Sequence, residues 1–268
     1  VWRADRPQRG RYREFYQCDA DIVGSDSLVS EIDFIQIIQK VFSKLGINGV
    51  VIKVNNRKIL SGIAEVVGQP DKIIDITVAI DKLDKIGVQG VIDELSSRGL
   101  SEKAIDIIKP IINIKGDNSI IINSLKELLK SSEIGLSGVA ELEYILNYYS
   151  SYPLLNVALQ VDMTLARGLN YYTGAIFEVT VDGAAVGSVS GGGRYDNLTG
   201  SFGMKDVSGV GISFGADRIY DVMLDQSVFP DFKDVSTQLL IINSGEYINE
   251  LVHLSNEFRD QGVVAEFY

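Results

Sequence analysis

The sequence predicts an α+β fold: an antiparallel sheet flanked by helices, interrupted by a helical insertion and followed by the opening of a separate α/β unit. Three observations carry this. Strand-like alternation at the start of the chain resumes only after residue 152. The stretch between carries apolar residues on a 3.6-residue period. The later strands follow one another without an intervening helix for each, unlike a doubly wound parallel sheet. With 268 residues, 46% of them hydrophobic, the chain is long enough for one large core and part of a second.

Residues 1–52 come first. VWRAD and RYREFYQCDADIVG flank the turn-prone RPQRG and read as a hairpin, in whose second arm Arg11, Arg13, Phe15, Gln17, Asp19 and Asp21 alternate onto one polar face. Ser25-Asp26-Ser27 then opens a helix with Leu28, Ile32, Ile35, Ile38, Phe42 and Leu45 at helical spacing, and Gly46 stops it. That helix reads as core packing. VVIKV follows as a strand.

Residues 53–152 form the insertion. After the turn at Asn55-Asn56, the segments DKIIDITVAIDKLDKIG, VQGVIDELSSRGL, INSLKELLKSS and GVAELEYILNYYSSY are helical, broken by glycines and Pro110. Residues 153–233 return to strands: NVALQVDMT, GAIFEVTVDG, VGSVSGG and GVGISFG, the last entering the helix ADRIYDVML. LARGLNYYTG is expected on a strand that leaves the helical stretch. Residues 234–268 read as strand, helix, strand, the opening of a parallel α/β domain. Starting at Val1 without Met and ending on an apolar strand, the chain is expected to be a fragment of a longer protein.

Composition excludes several classes. A net charge of −11 argues against coating nucleic acid by bulk electrostatics, but the first residues are locally basic, with Arg3, Arg6, Arg9, Arg11 and Arg13 against Asp5 and Glu14. The planar guanidinium suits phosphate. No apolar run reaches membrane-spanning length and the start is not signal-like, so a soluble cytoplasmic protein is expected. A lone Cys18 forms no internal disulfide, and a lone His253, on what reads as a surface helix, supplies neither a zinc site nor a histidine-based triad. No metal ligand is assigned. The glycine-rich SGGGRYDNLTG lacks the Lys-Ser/Thr ending of a P-loop, and GVGISFG lacks dinucleotide-fingerprint spacing. Gly191, Gly192 and Gly193 remain open between ligand approach and packing.

Taken together, the motifs resemble one family. VWRADRPQRGRYREFYQCDADIVG is similar to motif 2 of the class II histidyl-tRNA synthetases. LARGLNYYTG is similar to their histidine-specific signature, SGGGRYDNL to the adjoining glycine-rich strand, and GVGISFGADRIYDVM to motif 3, all in family order. The resemblance implies the class II sheet with a helical insertion and a C-terminal anticodon-binding domain. It implies ATP and Mg2+, L-histidine and tRNA(His) as partners, and a homodimer in the parent protein.

It also implies roles. Arg3 and Arg167 hold the α-phosphate from two sides and are the catalytic pair, with Arg3 also meeting the histidine carboxylate. Phe15 stacks on adenine, Arg11 joins the ATP site, and Arg218 covers the adenine and reaches the terminal phosphate. Gln17 and Asp21 contact histidine, the acid near its α-amino group, while Tyr171, Tyr172 and Tyr195 line the imidazole pocket. Two departures stand out: the family's signature Asp is Asn170 here, and the upstream part with motif 1 is missing, so activity is expected of the parent protein. The alternative is a non-catalytic synthetase-like paralogue, a regulatory subunit of histidine biosynthesis or a tRNA-sensing domain. Such relatives tend to lose residues of the kind that Arg3, Gln17, Arg167, Tyr172 and Arg218 retain.

Overall fold

The structure, a computed structural model, describes all residues except 5, 115, 167–170 and 230–235, and except the side chain of Asp84. The chain divides into two compact units, Val1–Val228 and Phe229–Tyr268.

The first unit is built on a six-stranded sheet of β1 (Gln17–Val23), β2 (Val50–Asn56), β3 (Val157–Val161), β4 (Ala175–Val181), β5 (Ser190–Arg194) and β6 (Gly209–Gly215). The strand order is β1-β6-β5-β4-β2-β3, antiparallel throughout except for β2 beside β3. That one parallel pair explains the long helical stretch. Parallel neighbours cannot be joined by a tight turn, so the chain between them must cross over. Residues 57–151 make this crossover.

Helix α1 (Val29–Lys44) covers one face of the sheet, burying Ile32, Phe34, Ile35, Ile38 and Phe42. The rings of Phe42 and Phe214 lie 6.2 Å apart. Ser27 Oγ accepts from the Val29 N–H at 3.3 Å, and Gly46 turns the chain away at φ 71°. The crossover contains α2 (Arg57–Val66), α3 (Ile73–Ile80), α4 (Leu83–Ser97), α5 (Glu102–Ile112), α6 (Asn118–Leu128) and α7 (Glu133–Ser151). Four of these start on a side-chain cap: Asn56, Ser101, Asp117 and Ser132 accept from Lys58, Ala104, Ile120 and Gly135 N–H groups. One continuous apolar core runs from α1 through the sheet into these helices.

Three details differ from sequence expectation. Pro110 does not break its helix, because it lies in the last turn of α5, where the one lost hydrogen bond is near the end of the ladder. Gly87, at φ 69° and ψ 174°, kinks α4 where a glycine break was expected, whereas Asn55-Asn56, expected as a turn, forms the buried end of β2 and pairs with β4. The described residues of 165–174 form a loop between β3 and β4 rather than a strand.

Side chains finish the crossover. Lys72, Asp75, Lys82, Glu94 and Arg98 form a linked ion network, with Arg98 bonding Asp75 at 2.9 Å and Glu94 at 2.7 Å. Asn118 donates to the Leu159 carbonyl and accepts from the Val161 N–H, both at 2.8 Å. Its amide thereby occupies backbone groups on the β3 edge that otherwise invite another strand.

The second unit contains β7 (Leu239–Ile241) parallel to β8 (Ala265–Phe267), with α9 (Ile248–Asp260) between them in sequence; His253 is exposed on α9. The expected boundary at 233–234 falls outside the described residues. No described helix is long and apolar enough to cross a membrane.

Helices α2 and α7 meet backbone to backbone, since a Cβ on Gly62 would stand 2.5 Å from Gly135 Cα. Gly62→Ala sets a propensity gain of about 1 kcal/mol against an overpacking cost of about 1–3 kcal/mol. With backbone as the obstacle, the cost dominates. Urea unfolding is expected to give a lower midpoint for Gly62→Ala, whereas an equal or higher midpoint refutes the close contact.

Candidate active site

The sheet face opposite α1 carries the polar side chains. Alternation puts Gln17, Asp19 and Asp21 of β1 there, beside Gly215, Ser213 and Gly211 of β6. Where β1 starts and β6 ends, a cleft of 170 Å³ is lined by Arg3, Arg11, Phe15, Gln17 and Arg218, among others. The guanidinium of Arg3 stands 4.9 Å from the centre of the Phe15 ring and donates to Gln17 Oε1 at 3.3 Å. Gln17 in turn donates to Asp19 at 2.8 Å. The expected hairpin is present as a ladder of single bridges, Trp2 to Glu14 and Gln8 to Arg11, leading into β1.

Helix α8 (Ala216–Asp225) follows β6 directly. Arg218 in its first turn donates to the carbonyls of Gly10 at 2.5 Å and Ser188 at 2.6 Å, joining the hairpin to the approach to β5. Three aspartates one turn apart then staple the hairpin down its length. Asp217 accepts from the Tyr16 N–H at 2.7 Å, Asp221 from Tyr12 Oη at 2.7 Å, and Asp225 from Arg9 at 2.5 Å. The bond to Asp221 is the main cause that raises the Tyr12 phenol pKa. Sequence reasoning missed this ladder, although the i, i+4 spacing of acids in ADRIYDVMLD is its signal.

About 13 Å further along β1, by strand rise, lies a second cluster. Tyr195 donates to Asp21 Oδ1 at 2.5 Å. Tyr171 and Tyr172 pack with ring centres 4.2 Å apart; Tyr171 is well exposed and Tyr172 partly buried. Burial first, then the hydrogen bond with Tyr171, pushes the Tyr172 phenol upward, with Asp21 and Tyr195 also contributing. Burial and the Asp21 bond do the same to Tyr195. The glycines supply the room. A Cβ on Gly193 would lie 2.9 Å from the Tyr172 ring, one on Gly209 2.3 Å from the Tyr195 ring, and one on Gly211 on top of the Asp21 carboxylate.

Comparison with known proteins now bears on this face. A family model described as Histidyl-tRNA synthetase matches residues 1–219. The chain belongs to the histidyl-tRNA synthetase family. It is 57% identical over 269 residues to the Histidine--tRNA ligase of Porphyromonas gingivalis, covering 100% of this chain and 59% of that protein. Against the same-named protein of Bacteroides fragilis strain YCH46 it is 60% identical over 246 residues, 92% of this chain and 54% of that one. The chain therefore spans somewhat over half the length of these curated relatives. Among solved structures, the crystal structure of histidyl-tRNA synthetase from Nostoc sp. PCC 7120 superposes with a TM-score of 0.81 at 31% identity, covering 96% of this chain and 61% of that one. A Bacillus halodurans structure described as an ATP phosphoribosyltransferase regulatory subunit/histidyl-tRNA synthetase gives 0.77 at 20% identity, a likeness of fold alone.

In this chain, the sequence-derived site residues fall into two groups. Arg3, Arg11, Phe15, Gln17 and Arg218 line the cleft. Asp21, Tyr171, Tyr172 and Tyr195 belong to the tyrosine cluster. Arg167 and Asn170 lie outside the described residues. The polar face continues beyond both groups: Lys53 and Asp162 pair at 2.7 Å, and Glu178 is buried. Arg57, whose N–H bonds Gly174 O at 2.8 Å, keeps its Nη1 enclosed without a hydrogen-bond partner among the described residues, and burial lowers its pKa. Nothing in the local sequence separates these residues from ordinary surface charges; register alone brings them to this face.

Gly209→Ala tests the tyrosine cluster. The added methyl must displace the Tyr195 ring from Asp21, removing both causes of its raised pKa. Of the 12 tyrosines, one more is then expected to ionise near the ordinary value of about 10 in an alkaline absorbance titration. An unchanged titration curve refutes the packing.

Proposed function

We propose that the chain is the catalytic region of a histidine–tRNA ligase, which activates L-histidine with ATP and transfers it to tRNA(His). The observation that carries this reading is the presence, on one sheet face, of an arginine-lined cleft beside a pocket of tyrosines and a carboxylate. A phosphate-binding group and polar side chains able to meet an imidazole are what the joining of histidine to a nucleotide requires.

Activation is attack of the histidine carboxylate on the α-phosphorus of ATP. A P–O bond forms to the carboxylate oxygen, the bond to the bridging oxygen breaks, and pyrophosphate leaves. The nucleophile is already an anion, so the protein need only align the groups and neutralise phosphoryl charge. Arg3 serves the α-phosphate and the incoming carboxylate. Arg167 is assigned the opposite side on its motif alone. Phe15 is the adenine platform, Arg11 and Arg218 complete the nucleotide site, and Gln17 and Asp21 meet histidine. Tyr171, Tyr172 and Tyr195 surround its imidazole. The terminal ribose hydroxyl of tRNA then attacks the histidyl carbonyl and releases AMP.

Among the described residues no three His, Cys, Asp or Glu side chains are grouped to hold a metal. When bound, Mg2+, an ion ordinarily held by such phosphates with one or two carboxylates, would offset the charge of the ATP phosphates. The tyrosine pocket favours histidine because a ligand lacking imidazole nitrogens leaves its polar groups unpaired, a penalty worth up to about 10⁴–10⁵ in rate. A homodimer in the cytoplasm, with tRNA meeting the basic hairpin, completes the reading at full length. The regulatory-paralogue reading is less supported, since the high-identity relatives all carry the ligase name.

At the full length of its relatives, the protein is expected to exchange pyrophosphate into ATP with histidine alone of the standard amino acids. Arg3→Ala and Arg167→Ala are each expected to lower that exchange by about 10²-fold or more. A folded protein that exchanges with no amino acid contradicts the reading.

A further inference from the structure

We infer that Arg194 is a positioning residue for the tyrosine pocket, acting through Ser208, Asp196 and Thr173. The inference rests on the proposed reading for its substrate, though not for its geometry. Arg194 ends β5 and is only 5% exposed, and its partner Glu31 in the first turn of α1 is wholly buried. Its Nε and Nη2 reach the two Glu31 oxygens at 2.5 and 2.6 Å. Nη1 donates to Ser25 O at 3.0 Å and Ser208 Oγ at 2.6 Å, and Nη2 also to Ser27 O at 3.1 Å. All five donors of the guanidinium have acceptors. Burial works against its charge, yet the Glu31 bonds leave its pKa raised.

The network continues toward the pocket. Ser208 Oγ donates to Asp196 Oδ1 at 2.6 Å, and Thr173 Oγ1 donates to Asp196 Oδ2 at 2.5 Å. Thr173 Oγ1 also accepts from the Asp196 N–H at 3.0 Å, while the Thr173 N–H donates to Arg194 O at 2.8 Å. Every pocket tyrosine is thereby adjacent to the chain of bonds. Tyr195 sits between Arg194 and Asp196, and Tyr171-Tyr172 runs directly into Thr173. Gly209, against which the Tyr195 ring packs, follows Ser208.

A buried ion pair contributes little stability over apolar residues of the same volume, but it fixes direction, because each bond accepts only a narrow angle. Here the fixed directions belong to the two segments that present the tyrosines. Displacements on the order of 1 Å at a binding site can cost about 10²-fold in rate. The network therefore governs how well the pocket holds histidine, without touching it.

The test cuts the network between the ion pair and the pocket. Thr173→Val keeps the shape of the side chain and removes its hydroxyl. Asp196, whose side chain is 38% exposed, can be satisfied by water. Ser208→Ala makes an independent cut. In the protein at the full length of its relatives, pyrophosphate exchange by Thr173→Val is expected to show a KM for histidine about tenfold higher, with the KM for ATP within about twofold of the parent. Near-UV circular dichroism of the tyrosines is expected to change with little change in Tm, and Thr173→Ser is expected to restore both readouts.

Unchanged histidine KM and unchanged near-UV signal in both Thr173→Val and Ser208→Ala overturn the inference. So does an equal rise in both KM values accompanied by a large fall in Tm, the behaviour of a merely structural bond. If the parent protein exchanges with no amino acid, the proposed function falls, and the near-UV comparison alone decides the positioning role.

Discussion

The buried Arg194–Glu31 pair joins the end of a central strand to the first turn of the helix that covers the sheet. Removing one partner of such a pair strands a charge in the interior, at a cost of about 3–5 kcal/mol. The site depends on that constraint more than on any of its own contacts. The sheet face has small residues at its centre, Gly191 and Gly193 on β5 and Gly211 and Gly215 on β6, which provide space but little grip. Rigidity has to come from the opposite face, where Phe42 packs against Phe214 and Arg194 is held in all its directions. Side chains above the sheet are aimed by bonds made below it.

A second constraint is electrostatic. A chain of net charge −11 presents a cluster of arginines, and the structure reconciles the two by pairing the nearby acids locally. Acids beside the cluster are engaged locally: Asp217 by a backbone N–H, Asp221 by Tyr12, and Asp225 by Arg9. Among the described residues Arg3 leans on an aromatic face and a neutral amide rather than on a carboxylate. Asp19, on the same strand face, is likewise engaged by Gln17, and charges beyond a Debye length of about 8–10 Å in physiological salt have little influence on the cleft. Overall acidity and an arginine-lined cleft are thus compatible.

Much of this architecture was legible in the sequence because periodicity reports burial. The apolar stripe from Ile32 to Phe42, the alternation of Gln17, Asp19 and Asp21, and the helical period between the two sets of strands each correspond to a described element. Motif residues could be assigned to a shared site because their order matched a family. Long-range pairing was not legible. That Arg194 meets Glu31 across 163 positions, or that Lys53 faces Asp162, follows from strand order and register, which no local window contains. The loop at Tyr171 and Tyr172 read as a strand because adjacent aromatics favour one, and tertiary context prevailed over that propensity. Pro110 misled for the opposite reason: its penalty depends on position within the helix, and the end of α5 lay two residues on.

The glycines beneath the tyrosines have a consequence for redesign. At Gly209 and Gly211 the useful property is the missing side chain, whose space is taken by Tyr195 or Asp21, while at Gly193 the Ala175 carbonyl, 2.6 Å from a Cβ, stands in the way before the Tyr172 ring does. Gly193 is therefore fixed by backbone, whereas Gly209 and Gly211 each form a single variable with their occupant. Enlarging a glycine without shrinking its occupant jams the pocket, and shrinking an occupant alone leaves a void. An engineer seeking to admit a larger ligand must change these residues in pairs, so single-substitution libraries would miss the route entirely.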